Sequence, residues 1–281
     1  MYGHTKETYM HKCRLLINTC LKKLGYQIVR HTPEKQEQYA VLDFTTEEIF
    51  NALPRWQSRF EIDGNVYGGK ADYRTHRVSM LNDAGLYRHV DFTGKTVIEF
   101  GPLEGGNSII MEKLNAKSIT ALEGHRENFI RCCVIKNLFQ LNRTTFYFDD
   151  VMRATVEKYG TYDLGFIAGL LYHLEKPHLF LSHVSTMTDA IIVSTHYADE
   201  ESPSPDAAVM EIHHNGVAYQ GKEFREGVGP SSGLQPVSFW PFKKDLLNMI
   251  KNSGYKKITV INDLIDEKTK YRLIYLVAKK D

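Results

Sequence analysis

KTVIEFGPLEGGNS, Lys95 to Ser108, reads as a buried strand that stops on an acid and runs directly into a glycine-rich turn. Val97, Ile98 and Phe100 supply the β-branched and aromatic character of a strand covered on both faces, and Glu99 sits near its carboxyl end. Gly101, Gly105 and Gly106 let the backbone turn sharply and approach a ligand with no Cβ in the way. In an α/β fold such a strand tip is where a nucleotide-like cofactor is held. The glycine spacing, G-P-L-E-G-G, fits neither the dinucleotide pattern G-x-G-x-x-G nor the phosphate loop G-x-x-x-x-G-K-[ST]. A pyrophosphate would be repelled by Glu99 and Glu104, whereas a ligand carrying an ammonium and a sulfonium would be attracted to them.

The pattern E-x-G-x-x-x-G-G, with Pro102 inside it, resembles motif I of the class I S-adenosylmethionine-dependent methyltransferases, and further features follow in that family's order. SITALEG, Ser118 to Gly124, reads as a second strand ending in Glu123, whose carboxylate can accept both hydroxyls of a ribose. TTFYFDDV ends in Asp149, Asp150 and Val151; the resemblance implies an acid that bonds the adenine amino group, with Asp150 favoured because an apolar residue follows it. YDLGFIAGLLYHLEKP resembles motif IV, which implies that Gly169, Leu170 and the residues after them face the transferred methyl. The implied cofactor is S-adenosylmethionine, held by Glu99, Gly101, Pro102, Gly105, Gly106, Glu123, Asp149, Asp150, Val151, Gly169 and Leu170. The implied fold is α/β, a Rossmann-like, mostly parallel sheet of seven strands with helices on both faces and the last strand inserted antiparallel.

Working outward, the 281 residues carry 42% hydrophobic residues, enough for a substantial core, and a net charge of +1, which gives no electrostatic footprint for nucleic acid. Cys13, Cys20, Cys132 and Cys133 form no C-x-x-C pair, so neither a disulfide framework nor a zinc site is expected. No apolar run approaches the roughly 20 residues that span a bilayer, and the opening segment lacks a signal-peptide core. A cytoplasmic protein with reduced thiols is the expectation, with Cys132 and Cys133 both packing the helix after the second strand.

Residues 1–60 are expected as an N-terminal helical extension and 61–281 as the catalytic domain. Helical apolar spacing runs from Thr5 to about Arg30, and its tail LKKLGYQIVR resembles leaders of bacterial methyltransferases from glycan and natural-product pathways. A second helix begins near Thr45 or Thr46. The segment from Leu53 to Gly69 pairs an aromatic cluster with a D-G turn and a double glycine and reads as a hairpin or an extended arm. It resembles the arm of methyltransferases related to the tRNA wobble-uridine carboxymethyltransferase, which implies that Trp56, Tyr67 and Tyr73 line the substrate pocket. The P-W-R-K-G-P-F stretch of that enzyme has no counterpart here.

After the fifth strand, residues from about 198 to 240 are too long for an ordinary loop and read as a substrate-covering insertion. Substrate contacts are expected from His196, His213, His214, Tyr219 and Trp240. Catalysis is expected from His173, as the base for a hydroxyl acceptor, and from Tyr172 beside it. Glu211 with His213 and His214 offers irregular metal-ligand spacing, and no metal is expected. The function expected is methylation of an oxygen or nitrogen on a small polar molecule or glycan. The alternatives are a tRNA-modifying (carboxy)methyltransferase, a noncatalytic binding subunit with this fold, and a nicotinamide-dependent oxidoreductase.

Overall fold

The computed structural model describes residues 44–72, 90–266 and 269–280; the helical leader, Cys13, Cys20 and Tyr73 lie outside the described residues. The chain groups into two units, Met1–Glu48 and Ile49–Asp281. Helix α1, Thr46–Ala52, begins in the first unit with a reciprocal cap. Thr45 N–H donates to Glu48 Oε2 at 2.8 Å and Glu48 N–H donates to Thr45 Oγ1 at 3.2 Å, which satisfies donors that a helix start otherwise leaves open.

The arm is a hairpin of β1, Ser58–Ile62, and β2, Asn65–Gly68, with the short β3, Ala71–Asp72, parallel to β1. Ile62 pairs with Asn65 across a two-residue turn in which Asp63 and Gly64 have φ of 51° and 78°, the positive angles that a D-G hairpin turn requires. Its aromatics face inward. Phe50 lies 4.5 Å from Trp56 and 5.2 Å from Tyr67 between ring centroids, and Trp56 Nε1 donates to Phe50 O at 3.1 Å.

Glu104, in the glycine-rich turn, ties this arm to the sheet. It accepts the N–H groups of Gln57 at 2.8 Å and Ser58 at 2.6 Å, with the Arg131 guanidinium 4.0 Å away. The attraction for a cationic ligand expected of Glu104 is therefore spent inside the protein: the residue is fully buried and both its oxygens are engaged.

The central sheet contains β4, Thr96–Phe100; β5, Ser118–Glu123; β6, Thr144–Phe148; β7, Tyr162–Ala168; β8, Thr188–Tyr197; β12, Lys257–Ile265; and β13, Arg272–Lys279. Its order is β12-β13-β8-β7-β4-β5-β6. β4 through β8 pair in parallel, while β13 runs antiparallel to both β8 and β12. This is the arrangement implied by the sequence, including the antiparallel last strand.

Adjacent residues of the parallel strands serve opposite layers, which is why the strands read as unbroken apolar runs. Val97, Phe166 and Ile192 pack with helices α2, Gly106–Lys113, and α3, Arg126–Leu138. Ile98, Ile167 and Val193 pack on the other face with α5, Pro177–Met187, and α6, Lys243–Asn252. The short α4, Val156–Tyr159, lies between β6 and β7 in sequence. Cys132 is buried in α3 as expected, but Cys133 is exposed, because neighbouring helix positions point about 100° apart.

The insertion is ordered as an antiparallel sheet of β9, Val209–His214; β10, Val217–Arg225; and β11, Val237–Pro241. It is anchored on the helical layer. Tyr219 is buried there, and its hydroxyl accepts from Asn252 Nδ2 at 3.0 Å. Among the described residues no helix is long and apolar enough to cross a membrane.

Candidate active site

The carboxyl ends of β4, β5, β6 and β7 open onto two adjoining cavities, of about 270 and 370 Å³. Leu103, Gly169, His173 and Ser231 border both, so the two cavities meet at these residues.

The first cavity collects the strand-end features. Gly101, Glu123, Asp150, Val151 and Leu170 border it. Gly101 has φ of 72°, a left-handed turn that favours glycine, and a Cβ built on it would make ordinary contact with the Leu170 side chain at 3.4 Å. Glu123 is 4% exposed and accepts the N–H groups of Leu103 at 3.0 Å and His125 at 2.8 Å. Burial pushes its pKa up to about 7, against the lowering effect of those amides and of Asn128, while nearby Glu104 raises it further. Asp150 caps the following turn, accepting Met152 N–H at 2.9 Å.

Other expected cofactor contacts have different surroundings. Asp149 is committed to Tyr159, whose hydroxyl donates to it at 2.6 Å, and to Lys158. Glu99 is buried and accepts from the Ser108 hydroxyl, while Gly105 shapes the turn at φ of 80°. These three do not border either cavity; Pro102 and Gly106 border the second.

The insertion, expected from the sequence to cover a substrate, forms with its far end the outer wall of the first cavity, where the strand-end acids lie. Pro230 to Gln235 lie there. Pro230 O accepts from Asn128 Nδ2 at 2.6 Å, Ser232 O pairs with His125 Nε2 at 2.7 Å, and Leu234 sits against Gly124. Glu226, at the foot of this segment, accepts the Gly233 N–H at 2.7 Å and the Ser238 hydroxyl at 2.7 Å, and holds His173 Nδ1 at 2.9 Å. These contacts are long-range in sequence and leave no periodic signal.

The second cavity has aromatic and polar walls. Tyr172, His196, Trp240 and Tyr271 form one cluster, with His196 stacked on Trp240 at 5.4 Å and 6° and Tyr172 edge-on to His196 at 4.6 Å. His196 Nδ1 pairs with Arg272 O at 3.0 Å. Trp240 is 1% exposed, and its Nε1 has no hydrogen-bond partner among the described residues. Asp72, Asn107 and Ser194 lie on the polar side. Of these, only Tyr172, His196 and Trp240 were expected from the sequence.

The remaining expected substrate contacts are not brought to this cavity. Trp56 and Tyr67 pack into the arm and core, Tyr219 packs against α6, and none of the three borders either cavity. His213 is exposed and pairs with Glu211 at 3.0 Å. His214 turns toward Ser182 and the ring of His178, 5.1 Å away. Neighbours in a strand point to opposite faces, which is why these two histidines diverge. Among the described residues no group of three or more His, Cys, Asp or Glu could hold a metal ion.

No protein-family model matches the sequence, and no curated protein matches it. Solved structures do resemble it in fold. The N-terminal domain of EvdMO1 with S-adenosylhomocysteine bound aligns with a TM-score of 0.68 at 23% identity, covering 82% of this chain and 94% of that one. The same domain in the presence of S-adenosylhomocysteine and D-fucose gives 0.67 over the same shares, again at 23% identity. A whole EvdMO1 chain is covered over 46% of its length, with a TM-score of 0.58 at 20% identity. An S-adenosylmethionine-dependent methyltransferase from Mesorhizobium loti gives 0.51 at 12% identity, over 72% of this chain and 97% of that one. The seven-stranded core is thus the fold of S-adenosylmethionine-dependent methyltransferases.

Proposed function

We propose that this protein is an S-adenosylmethionine-dependent methyltransferase that methylates an oxygen or nitrogen of a small polar acceptor, with a sugar hydroxyl as the leading case. The observation that carries the reading is the meeting of two cavities at Gly169 and His173, one bordered by acids at strand tips and the other by aromatic rings.

The residues of the first cavity fit the cofactor. Glu123 is a buried carboxylate held at the mouth of a parallel sheet, and two ribose hydroxyls would compensate its desolvation. Asp150 and Val151 are available to the adenine. Gly101 holds the left-handed turn at the end of β4, at φ of 72°. When bound, the cofactor supplies a methyl already activated by its sulfonium, so the protein's contribution is alignment and exclusion of water. Leu234 and its neighbours would cover the bound cofactor, and Tyr172 and His173 stand where the acceptor would enter. His173 is the base for a hydroxyl acceptor, because it borders both cavities.

Stacked rings beside polar groups suit a sugar, which offers an apolar face and a hydroxyl rim. The EvdMO1 domain crystallised in the presence of D-fucose supports trying that class first. The arm's likeness to the tRNA wobble-uridine group favours no RNA substrate: its aromatics are turned into the core and the net charge is +1. The test is incubation with methyl-labelled S-adenosylmethionine and a panel of D-fucose, related free sugars and simple amines. The expected result is label transfer to a hydroxyl compound, lost in His173→Ala with cofactor affinity retained. Wild-type turnover by that variant would remove His173 from the mechanism.

A further inference from the structure

The insertion enters the catalytic centre through a carboxylate. The Glu226 side chain is 2% exposed and accepts three groups from three places: His173 after β7, the Gly233 amide in the segment covering the first cavity, and the Ser238 hydroxyl in β11. Burial pushes the Glu226 carboxyl up, but His173, the Gly233 amide and Ser238 outweigh it and leave its pKa below the ordinary value, so it is ionised at neutral pH. An ionised carboxylate only accepts, so a neutral His173, the form that can take up a proton, carries its hydrogen on Nδ1. Among the described residues nothing hydrogen-bonds His173 Nε2. The covering segment also presses against His173: a Cβ at Gly233 would lie 2.5 Å from the His173 carbonyl oxygen.

We infer that Glu226 is a positioning residue that makes proton removal conditional on closure of the Pro230–Gln235 segment. The closed segment holds Glu226 through Gly233, and Glu226 in turn fixes the His173 tautomer that leaves Nε2 bare at the junction of the cavities. This inference rests on the methyltransferase reading and deepens it, since a base of this kind serves a hydroxyl acceptor that must lose a proton. In the step it supports, the acceptor oxygen forms a bond to the methyl carbon as the carbon–sulfur bond breaks. That bond's electron pair stays on sulfur as a neutral thioether, and the hydroxyl proton passes to His173 Nε2. An amine acceptor that loses its proton to water after transfer would not need the dyad. The arrangement also places the working tautomer under the control of the segment that excludes water.

The test is nitrogen-detected NMR of histidine-labelled protein saturated with S-adenosylhomocysteine, with the His173 signal assigned by loss in His173→Gln. The expected signature is a protonated Nδ1 and a bare Nε2. Glu226→Ala should abolish that preference and speed S-adenosylhomocysteine dissociation about tenfold or more, the loss expected for a hydrogen bond to a charged group. Glu226→Asp, which keeps the charge one methylene back, should show smaller changes of both kinds and serves if the alanine variant does not fold. A protonated Nε2 in the wild type, or an unchanged signature in both variants, would overturn the inference while leaving the methyltransferase reading intact. Failure of the wild type to bind S-adenosylhomocysteine would overturn the reading, and with it the role of Glu226.

Discussion

Cofactor affinity should follow the ionisation of Glu123. Its carboxyl is raised to about 7, chiefly by burial, and two ribose hydroxyls can both donate to it only when it is ionised. For a ligand that binds the carboxylate form alone, the apparent dissociation constant scales as 1 + 10^(pKa − pH). Between pH 8 and pH 6 affinity for S-adenosylhomocysteine should therefore fall about tenfold, about 1.4 kcal/mol. Stability of the ligand-free protein should move the other way. The unfolded carboxyl titrates near its ordinary value of 4.5, so between there and about pH 7 the folded state holds a proton that the unfolded state has released. Folding stability then falls as pH rises through that window, by about 3 kcal/mol over its whole width. Titration calorimetry from pH 6 to 8.5 measures the first effect. Repeated in buffers of different ionisation heat, it should also show release of about half a proton on binding at pH 7. Glu123→Gln should bind weakly with a flat pH profile. Equal wild-type affinity at pH 6 and pH 8, or the same slope in the variant, would refute the ribose assignment and its electrostatics.

Glu104→Ala should lower stability by about 2–5 kcal/mol in chemical denaturation, because it leaves the amides of Gln57 and Ser58 without their acceptor and takes a carboxylate from beside Arg131, which keeps Glu127, Asn128 and Pro54; a change below 1 kcal/mol would show the arm is held by something else. Gly105→Ala should cost about 1–2 kcal/mol in the same assay, since φ is 80° and the new Cβ would lie 3.0 Å from the Phe146 ring. An unchanged midpoint would mean the turn relaxes freely. Tyr271→Ala removes one wall of the second cavity, edge-on to Trp240 at 5.1 Å. It should raise the acceptor KM with unaltered S-adenosylhomocysteine affinity, and a loss of that affinity instead would place Tyr271 in the cofactor's part of the site.

The sheet was legible because its strands alternate between two apolar layers and end on glycines and acids. Val97 and Ile98 reach different cores, and both the strand and its order along the chain follow from that continuous run. The turn of the hairpin was legible from Asp63-Gly64, whose positive φ angles few residue pairs tolerate, while the sequence left open whether the flanking segments pair or stay extended. The acceptor side was harder to read. Tyr219 and Trp240 look alike in sequence, as isolated aromatics within and just after a polar insertion, yet one packs on α6 and the other borders the cavity. Nothing in the sequence sets Glu226 apart from the other charges of the insertion, and only the return of the chain past His173 gives it a partner, 53 positions away. Glu104 was misassigned for the same reason: its partners come from an arm 46 and 47 positions earlier.

The central claim is tested most directly by parallel calorimetric titration of the full chain with S-adenosylmethionine, S-adenosylhomocysteine and NAD. Saturable binding of the first two and none of NAD is the expected result, with both affinities reduced in Glu123→Gln. Binding of NAD, or of none of the three, would contradict the assignment of the first cavity and the function built on it.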